Sequence, residues 1–310
     1  MGVRFAPSPT GAFHIGNFRT AWISHWWARH LNVPWVVRFE DIDAPRVVDG
    51  ALQRQQAELE ALGLRPDQVV VQSQRHGRHL EVFERAVAEK RVYPCFCSRE
   101  DVRRALEAAS SAPHAREAVY SGCCRDLASF AESKLVTLAW RFRGENKTGV
   151  GDFIVGRTGP ITALGKAPAR ESFVPAYNWA CAIDDADGCY RLLVRGADLA
   201  DVAGQQREIQ QMLAQWAGIP FSPPAIFHCA LVVRDTGERL EKRTQGVTLP
   251  ELLSQEYDVG RLVACFEQSL EPERLKFKAG DIFGEKHAQL TLTRLLQLKA
   301  GAASGNPSTR

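Results

Sequence analysis

His14, Gly16 and Asn17 stand where a short apolar strand, Val3 to Ala6, gives way to a helix through the loop Pro7-Ser8-Pro9-Thr10-Gly11. That arrangement suits an anion. A helix N-terminus offers unpaired N–H groups and a partial positive charge, a glycine lets a flat base or a phosphate approach the main chain, and an imidazole N–H can reach a phosphate oxygen. A second chemistry is written in the cysteines. Four of the eight, Cys95, Cys97, Cys123 and Cys124, fall within thirty residues, while the others lie singly in apolar strings. Such bunching is unlike a disulfide framework and points to a metal held in a reducing compartment. Thiolates favour a tetrahedral structural zinc, for which a fourth ligand is needed; Cys123 and His114 are conventional choices. Asp41 and Asp43 could suggest a divalent ion, but Asp43, just before Pro45, is better read as a helix N-cap.

The elements that must position these residues follow from apolar periodicity. Asn17 to Leu31 reads as a helix with Phe18, Ala21, Trp22, Trp26 and Leu31 on one face, and Pro34 to Phe39 as an almost wholly apolar strand. A helix from Pro45 to about Leu62, a strand from Gln68 to Val71 and a helix from His76 to Lys90 continue the alternation. This predicts an α/β, doubly wound parallel sheet with its ligand site at the carboxyl ends of the strands. The pattern breaks over 91–135, an insertion that carries the cysteines and, at Ser98 to Asp101, a capping-box sequence. Strand-like runs return at Leu135 to Phe142 and Gly151 to Val155, followed by a loop from Thr158 to Ser172. Tyr190 to Val194 then leads through Arg195-Gly196-Ala197-Asp198 into a helix over Val202 to Ala217, repeating the strand-to-helix step of the N-terminus. The expected organisation is 1–90 and 136–249 as two halves of one catalytic domain, 91–135 as the insertion, 250–299 as a helical segment and 300–310 as a disordered tail.

Composition excludes several classes. At 310 residues, 45% hydrophobic and 24% charged, the chain is that of an ordinary globular protein of one large or two moderate domains. No run of eighteen apolar residues and no leader-like N-terminus is present, so the expected location is the cytoplasm, with no membrane. A net charge of +3 leaves RNA contact to local basic clusters such as Arg75 to Arg78, Arg99 to Arg104 and Arg234 to Arg243. Gly159 to Lys166 has five residues between its glycines and an alanine after the lysine, which is not a P-loop.

Taken together, Arg4 to Asn17, Arg38-Phe39-Glu40-Asp41-Ile42-Asp43 and Arg239-Leu240-Glu241-Lys242-Arg243 resemble the class I aminoacyl-tRNA synthetases of the glutamyl type. The first stretch stands for the family's HIGH motif and the last for KMSKS. The resemblance implies a Rossmann-like catalytic domain that activates L-glutamate with ATP and Mg²⁺, with His14 and Lys242 as catalytic cations and His14, Gly16, Asn17 and Lys242 around the ATP. It implies a glutamate site of Arg4, Ser8, Glu40, Tyr177 and Arg195, where a cation meets the side-chain carboxylate and an anion the α-ammonium. Asn17 replaces the second histidine of HIGH, while Arg239 and Glu241 replace the first lysine and the serine of KMSKS. Alone, His14 could equally cap a helix, and 239–243 could be a solvated turn; their joint occurrence in order favours function.

The short glutamyl-queuosine branch of that family shows Cys-x-Cys followed by Tyr-x-x-x-Cys, here Cys95, Cys97, Tyr120 and Cys124, with the tyrosine oxygen as fourth zinc ligand. About sixty residues follow Leu249, too few for the separate anticodon-binding domain of a full glutamyl enzyme. The resemblance therefore implies transfer of glutamate to queuosine in the anticodon loop of tRNA(Asp), by a monomer that needs no tRNA for activation. Two alternatives are a minimal glutamyl-tRNA synthetase charging a tRNA 3′ end, and a non-catalytic RNA-binding relative.

Overall fold

Short runs of almost unbroken apolar residues build strands buried on both faces, and Val3–Phe5, Trp35–Phe39 and residues 192–195 do so in the computed structural model of this chain. It describes residues 1–98, 100–103, 120, 122–126, 137–144, 150–159, 170–240, 247–254 and 257–298. In chain order the strands are β1 (Val3–Phe5), β2 (Trp35–Phe39), β3 (Gln68–Val71), β4 (Val92–Cys95), β5 (Leu138–Phe142), β6 (Phe153–Thr158), β7 (Val174–Pro175), β8 (Leu192–Gly196), β9 (Ala225–Cys229), β10 (Leu231–Val233), β11 (Ile282–Gly284) and β12 (Gln289–Thr291). The helices are α1 (Ile15–His30), α2 (Ala51–Ala61), α3 (His76–Ala88), α4 (Tyr177–Asp187), α5 (Ala203–Ala217), α6 (Leu249–Ser254), α7 (Val259–Ser269) and α8 (Leu292–Gln297).

The chain divides into two units: Met1–Gln72 with Gly188–Asp201 and Ser222–Arg310, and Ser73–Asp187 with Val202–Phe221. The first unit holds a six-stranded sheet in the order β11-β9-β8-β1-β2-β3, with every neighbouring pair parallel. The chain starts in the middle, steps outward through β2 and β3, and returns to β8 on the other side of β1. Strand order thus reverses between β1 and β8, and at such a switch point the carboxyl ends of the strands open a crevice for ligands.

Helix α1 is buried over more of its surface than one apolar stripe would require, with Ile15, Phe18, Ala21, Trp22, Ile23, Trp27 and Ala28 all in the core of this unit. It packs on both the sheet and α7, which explains the breadth. Two expectations fail here. The chain after Asp43 makes only a short 3₁₀ turn, Ala44–Arg46, and α2 begins at Ala51 behind Gly50, whose φ of 72° ends the preceding turn. Asp43 caps nothing and its carboxylate lies 3.5 Å from Arg46. The segment after 249 contains α6, α7 and α8 as expected, and also strands β11 and β12, which pair with β9 and β10.

The second unit is built on an antiparallel sheet in the order β4-β5-β6-β7, together with α3, α4 and α5. The runs after residue 135 therefore make a sheet of their own and do not extend the parallel one. Phe83, Trp140, Phe142, Phe173 and Trp179 form its aromatic core. Gly156 is required there: a Cβ would come within 2.5 Å of the Phe173 ring. Ser98 and Asp101 make the expected reciprocal bonds, Ser98 N–H to Asp101 Oδ2 at 2.8 Å and Asp101 N–H to Ser98 Oγ at 3.1 Å. No helix among the described residues is long and apolar enough to cross a membrane.

Candidate active site

The N-terminus of α1 is organised by His14. The Gly16 N–H donates to His14 Nδ1 at 3.1 Å, and Asn17 Oδ1 accepts the His14 N–H at 3.2 Å, a reciprocal capping box. Gly16 permits this, because a Cβ there would lie 2.9 Å from His14 Cε1. With Nδ1 accepting, the ring proton sits on Nε2, and burial lowers the His14 pKa, so His14 is a neutral donor. The first turn holds no acidic residue, so no carboxylate there offsets the positive end of the helix. The N–H groups of Ile15, Gly16 and Asn17 are taken by Val247 and His14, which leaves His14 Nε2–H as the donor toward an anion.

The loop from β1 to α1 is held by α2. Gln55 Nε2 donates to the carbonyls of Ser8 (3.2 Å) and Gly11 (2.8 Å), and Glu58 Oε2 accepts the Phe13 N–H at 3.1 Å. Ser8 is exposed. On the other side, His14 bridges Thr248, and the Ile15 N–H donates to the Val247 carbonyl at 2.8 Å. Arg239 pairs with Asp198 at 3.3 Å. Lys242, Glu241 and Arg243 lie outside the described residues, as does His114.

Register gathers the remaining candidates of the first unit. Arg4 lies opposite Val36 on β2 and Leu193 on β8, and successive side chains of a strand alternate in face, so Arg38 and Arg195, each two residues further on, share the face of Arg4. His228, opposite Arg195 on β9, continues the row. The opposite face carries Val3, Phe5, Val37, Phe39, Leu192, Val194 and Phe227, all in the core around α1. Arg4, Arg38 and Arg195 are thus buried guanidinium groups on three adjacent strands.

Glu40, also buried, follows β2 on the same face; Arg38 Nη2 donates to its Oε1 at 2.9 Å, and its N–H donates to the Pro7 carbonyl at 2.9 Å. It begins no helix. His228 Nδ1 lies 3.2 Å from the Gly196 carbonyl; burial, reinforced by the charge of Arg195, lowers its pKa. The sequence alone assigns no role to His228, nor to Arg38 beyond its place in the stretch that carries the resemblance, although a charged residue inside so apolar a strand as β2 is a usable signal. A row of buried cations with one carboxylate suits a ligand that carries two carboxylates and an ammonium. Tyr177, the remaining candidate, opens α4 in the second unit and is half-buried.

The second unit brings the cysteines together. Cys95, Cys97 and Cys124 have sulfurs within 4.8 Å of one another, and the Tyr120 hydroxyl lies 3.2 Å from Cys95 Sγ and 3.5 Å from Cys97 Sγ. Cys123, exposed, is 3.3 Å from Cys97 Sγ and 3.4 Å from the Tyr120 hydroxyl. Burial opposes ionisation of Cys95, but the Tyr120 hydroxyl and Arg141 outweigh it and hold this thiol below its usual range. Burial pushes the Tyr120 phenol well up, which a bound cation would reverse. Arg141 stacks over the Tyr120 ring, with Cζ 3.6 Å from its centroid. Three thiols and a phenol in mutual contact match the donor set of a tetrahedral zinc site, with both Tyr120 and Cys123 in reach of the fourth position.

Residues 1–265 match the family of tRNA synthetases class I (E and Q), catalytic domain, and the chain belongs to that family and is a ligase. More particularly, it is 35% identical over 271 residues to the glutamyl-Q tRNA(Asp) synthetase of Deinococcus radiodurans, covering 86% of this chain and 88% of that one. It is 38% identical over 255 residues to the protein of the same name from Nocardia farcinica, covering 80% and 78%. Among solved structures, the glutamate-tRNA synthetase of Elizabethkingia anophelis superposes with a TM-score of 0.60 at 18% identity, over 98% of this chain and 68% of that one.

Proposed function

We propose that this chain activates L-glutamate with ATP without needing tRNA, then esterifies the glutamyl group to the queuosine base of tRNA(Asp). The observation that carries the activation of glutamate is the row Arg4, Arg38, Arg195 with Glu40 at the carboxyl edge of the sheet, in the same unit as the N-terminus of α1, and the likeness to the glutamyl-Q tRNA(Asp) synthetases supports the acceptor. Arg195 and Arg4 hold the side-chain carboxylate, Glu40 the α-ammonium, with Ser8 completing the amino-acid site. The α-carboxylate oxygen attacks the α-phosphorus of ATP, the bond to the bridging oxygen breaks, and pyrophosphate departs with its Mg²⁺, leaving glutamyl-adenylate. His14 Nε2–H and Lys242 stabilise charge on the phosphate as it builds, with the positive end of α1 at Gly16 and Asn17 adding its field. A hydroxyl of the queuosine cyclopentenediol then attacks the glutamyl carbonyl, AMP leaves, and the hydroxyl proton passes to solvent.

ATP–pyrophosphate exchange should depend on glutamate and proceed without tRNA. Labelled glutamate should pass to tRNA(Asp) carrying queuosine and not to the same tRNA with guanosine. Equal labelling of both, or label lost after periodate treatment of the 3′ end alone, would mean that the chain charges the terminal ribose instead.

The segment 91–135 acts in this reading as a zinc-binding insertion, with Cys95, Cys97 and Cys124 and the Tyr120 oxygen around a structural ion. Freshly purified protein should hold about one zinc per chain. The double variant Cys95→Ser/Cys97→Ser should lose it. Tyr120→Phe should weaken retention against a chelator more than Cys123→Ser does; the reverse order would assign the fourth position to Cys123.

A further inference from the structure

Residues 282–291 follow residues 225–233 strand for strand. Strand β11 pairs with β9, Phe283 opposite Phe227 and Gly284 opposite His228, while β12 pairs with β10, Leu290 opposite Val232. Between these ladders both segments cross from one sheet to the other, so main-chain groups there need partners from outside a strand.

Glu285 supplies them. Its N–H donates to the His228 carbonyl at 3.1 Å, its Oε2 accepts the Ala230 N–H at 2.8 Å, and its Oε1 accepts the Glu271 N–H at 3.3 Å. The same carboxylate takes a forked pair from Arg19 of α1, Nη1 at 2.7 Å and Nη2 at 2.5 Å. Arg19 also donates from Nε to Ser269 Oγ and from Nη2 to the Ser269 carbonyl, both at 2.8 Å. The two side chains are 1% and 3% exposed.

A buried ion pair is a weak means of gaining stability, since well-packed apolar residues of similar volume often do as well. Its particular property is geometry: a bidentate fork with main-chain acceptance fixes direction and distance together. Here it joins α1, only one turn beyond the His14–Gly16 cap, to the main chain that opens β10. These elements already meet, for a Cβ on Gly16 would lie 3.4 Å from Val232 Cβ.

We infer that Glu285 is a positioning residue for ATP: it sets the spacing between the N-terminus of α1 and residues 230–233, so that the segment after 270 completes the nucleotide half of the site. This rests on the ATP use proposed above. The test measures ATP–Mg²⁺ affinity by titration calorimetry, the KM for ATP and for glutamate in pyrophosphate exchange, and thermal unfolding. Glu285→Gln keeps an acceptor for Ala230 and weakens the fork; Arg19→Met with Glu285→Leu removes both charges and leaves neither buried alone.

Both variants should fold at 25 °C and lose ATP affinity by on the order of ten- to a hundredfold, with the KM for ATP rising in step and that for glutamate within about twofold. Folded variants with wild-type ATP affinity, or with both KM values raised alike, would overturn the inference. If Glu285→Gln does not fold, the double variant decides. Wild-type protein that binds ATP but shows no glutamate-dependent exchange would sink the proposed function and leave Glu285 to be judged on affinity; failure to bind ATP would sink both.

Discussion

Arg195→Leu is expected to lower kcat/KM for glutamate in pyrophosphate exchange by on the order of 10²–10³-fold, while the affinity for ATP stays within about twofold. The size follows from what is removed: truncating one partner of a buried charged contact costs about 2–5 kcal/mol. Leucine is a fair replacement for the fold, because Arg195 follows the run Leu192-Leu193-Val194 within β8 and shares its face with Leu193. Loss of activity should therefore come without a comparable loss of melting temperature. Arg195→Lys should recover only part of the loss, since an ammonium keeps the charge and gives up the planar fork. The row offers a control in the same experiment. Leu193 has the same orientation but no charge, so Leu193→Val should leave the glutamate KM within about threefold. Exchange by Arg195→Leu within threefold of wild type would remove this residue from the amino-acid site.

What could be read from the sequence divides along the range of the interactions involved. The cap at α1 is local: strand, proline-rich loop, His14 and glycine follow within fourteen residues, and such proximity survives folding in any context. The cysteines are similar, since Cys95 and Cys97 sit two apart and Cys123 and Cys124 adjoin, so one contact between the pairs assembles the cluster. The identity of a fourth ligand is not local. It depends on ångström differences between Tyr120 and Cys123, both of which touch Cys97.

Arg4 and Arg195 were legible as site residues through the resemblance, but the row they form with Arg38 was not, for another reason. Arg4, Arg38, Arg195 and His228 share a face only because β1, β2, β8 and β9 adopt one register, and a shift of one residue would turn any of them to the other side. Strands β11 and β12 were hidden by length, three residues each, with a glycine in one and a glutamine in the other. Their pairing is decided by the free edges of β9 and β10. Asp43 misled because a carboxylate before proline is a common helix start, whereas this chain delays its helix to Ala51.

His14 offers the sharpest separation of structure from chemistry, because one side chain does two things. As a cap it satisfies the Gly16 N–H, worth about 1 kcal/mol. As a neutral donor it is proposed to meet a phosphate, where the loss of one such group costs on the order of 10²–10³-fold in rate. His14→Ala should lose both, and Lys242→Ala only the rate. His14→Asp should separate them, for aspartate is a strong cap and is favoured by the positive end of α1, so stability should equal or exceed that of wild type. The same carboxylate stands where the phosphate must go. It should depress exchange at saturating ATP below His14→Ala and weaken ATP binding as well. His14→Asn, a good cap that still carries an N–H donor, should fall between wild type and alanine in rate. A stable His14→Asp variant with exchange near wild type would show that the phosphate does not bind at the N-terminus of α1, and the order of the three variants would then follow capping strength alone.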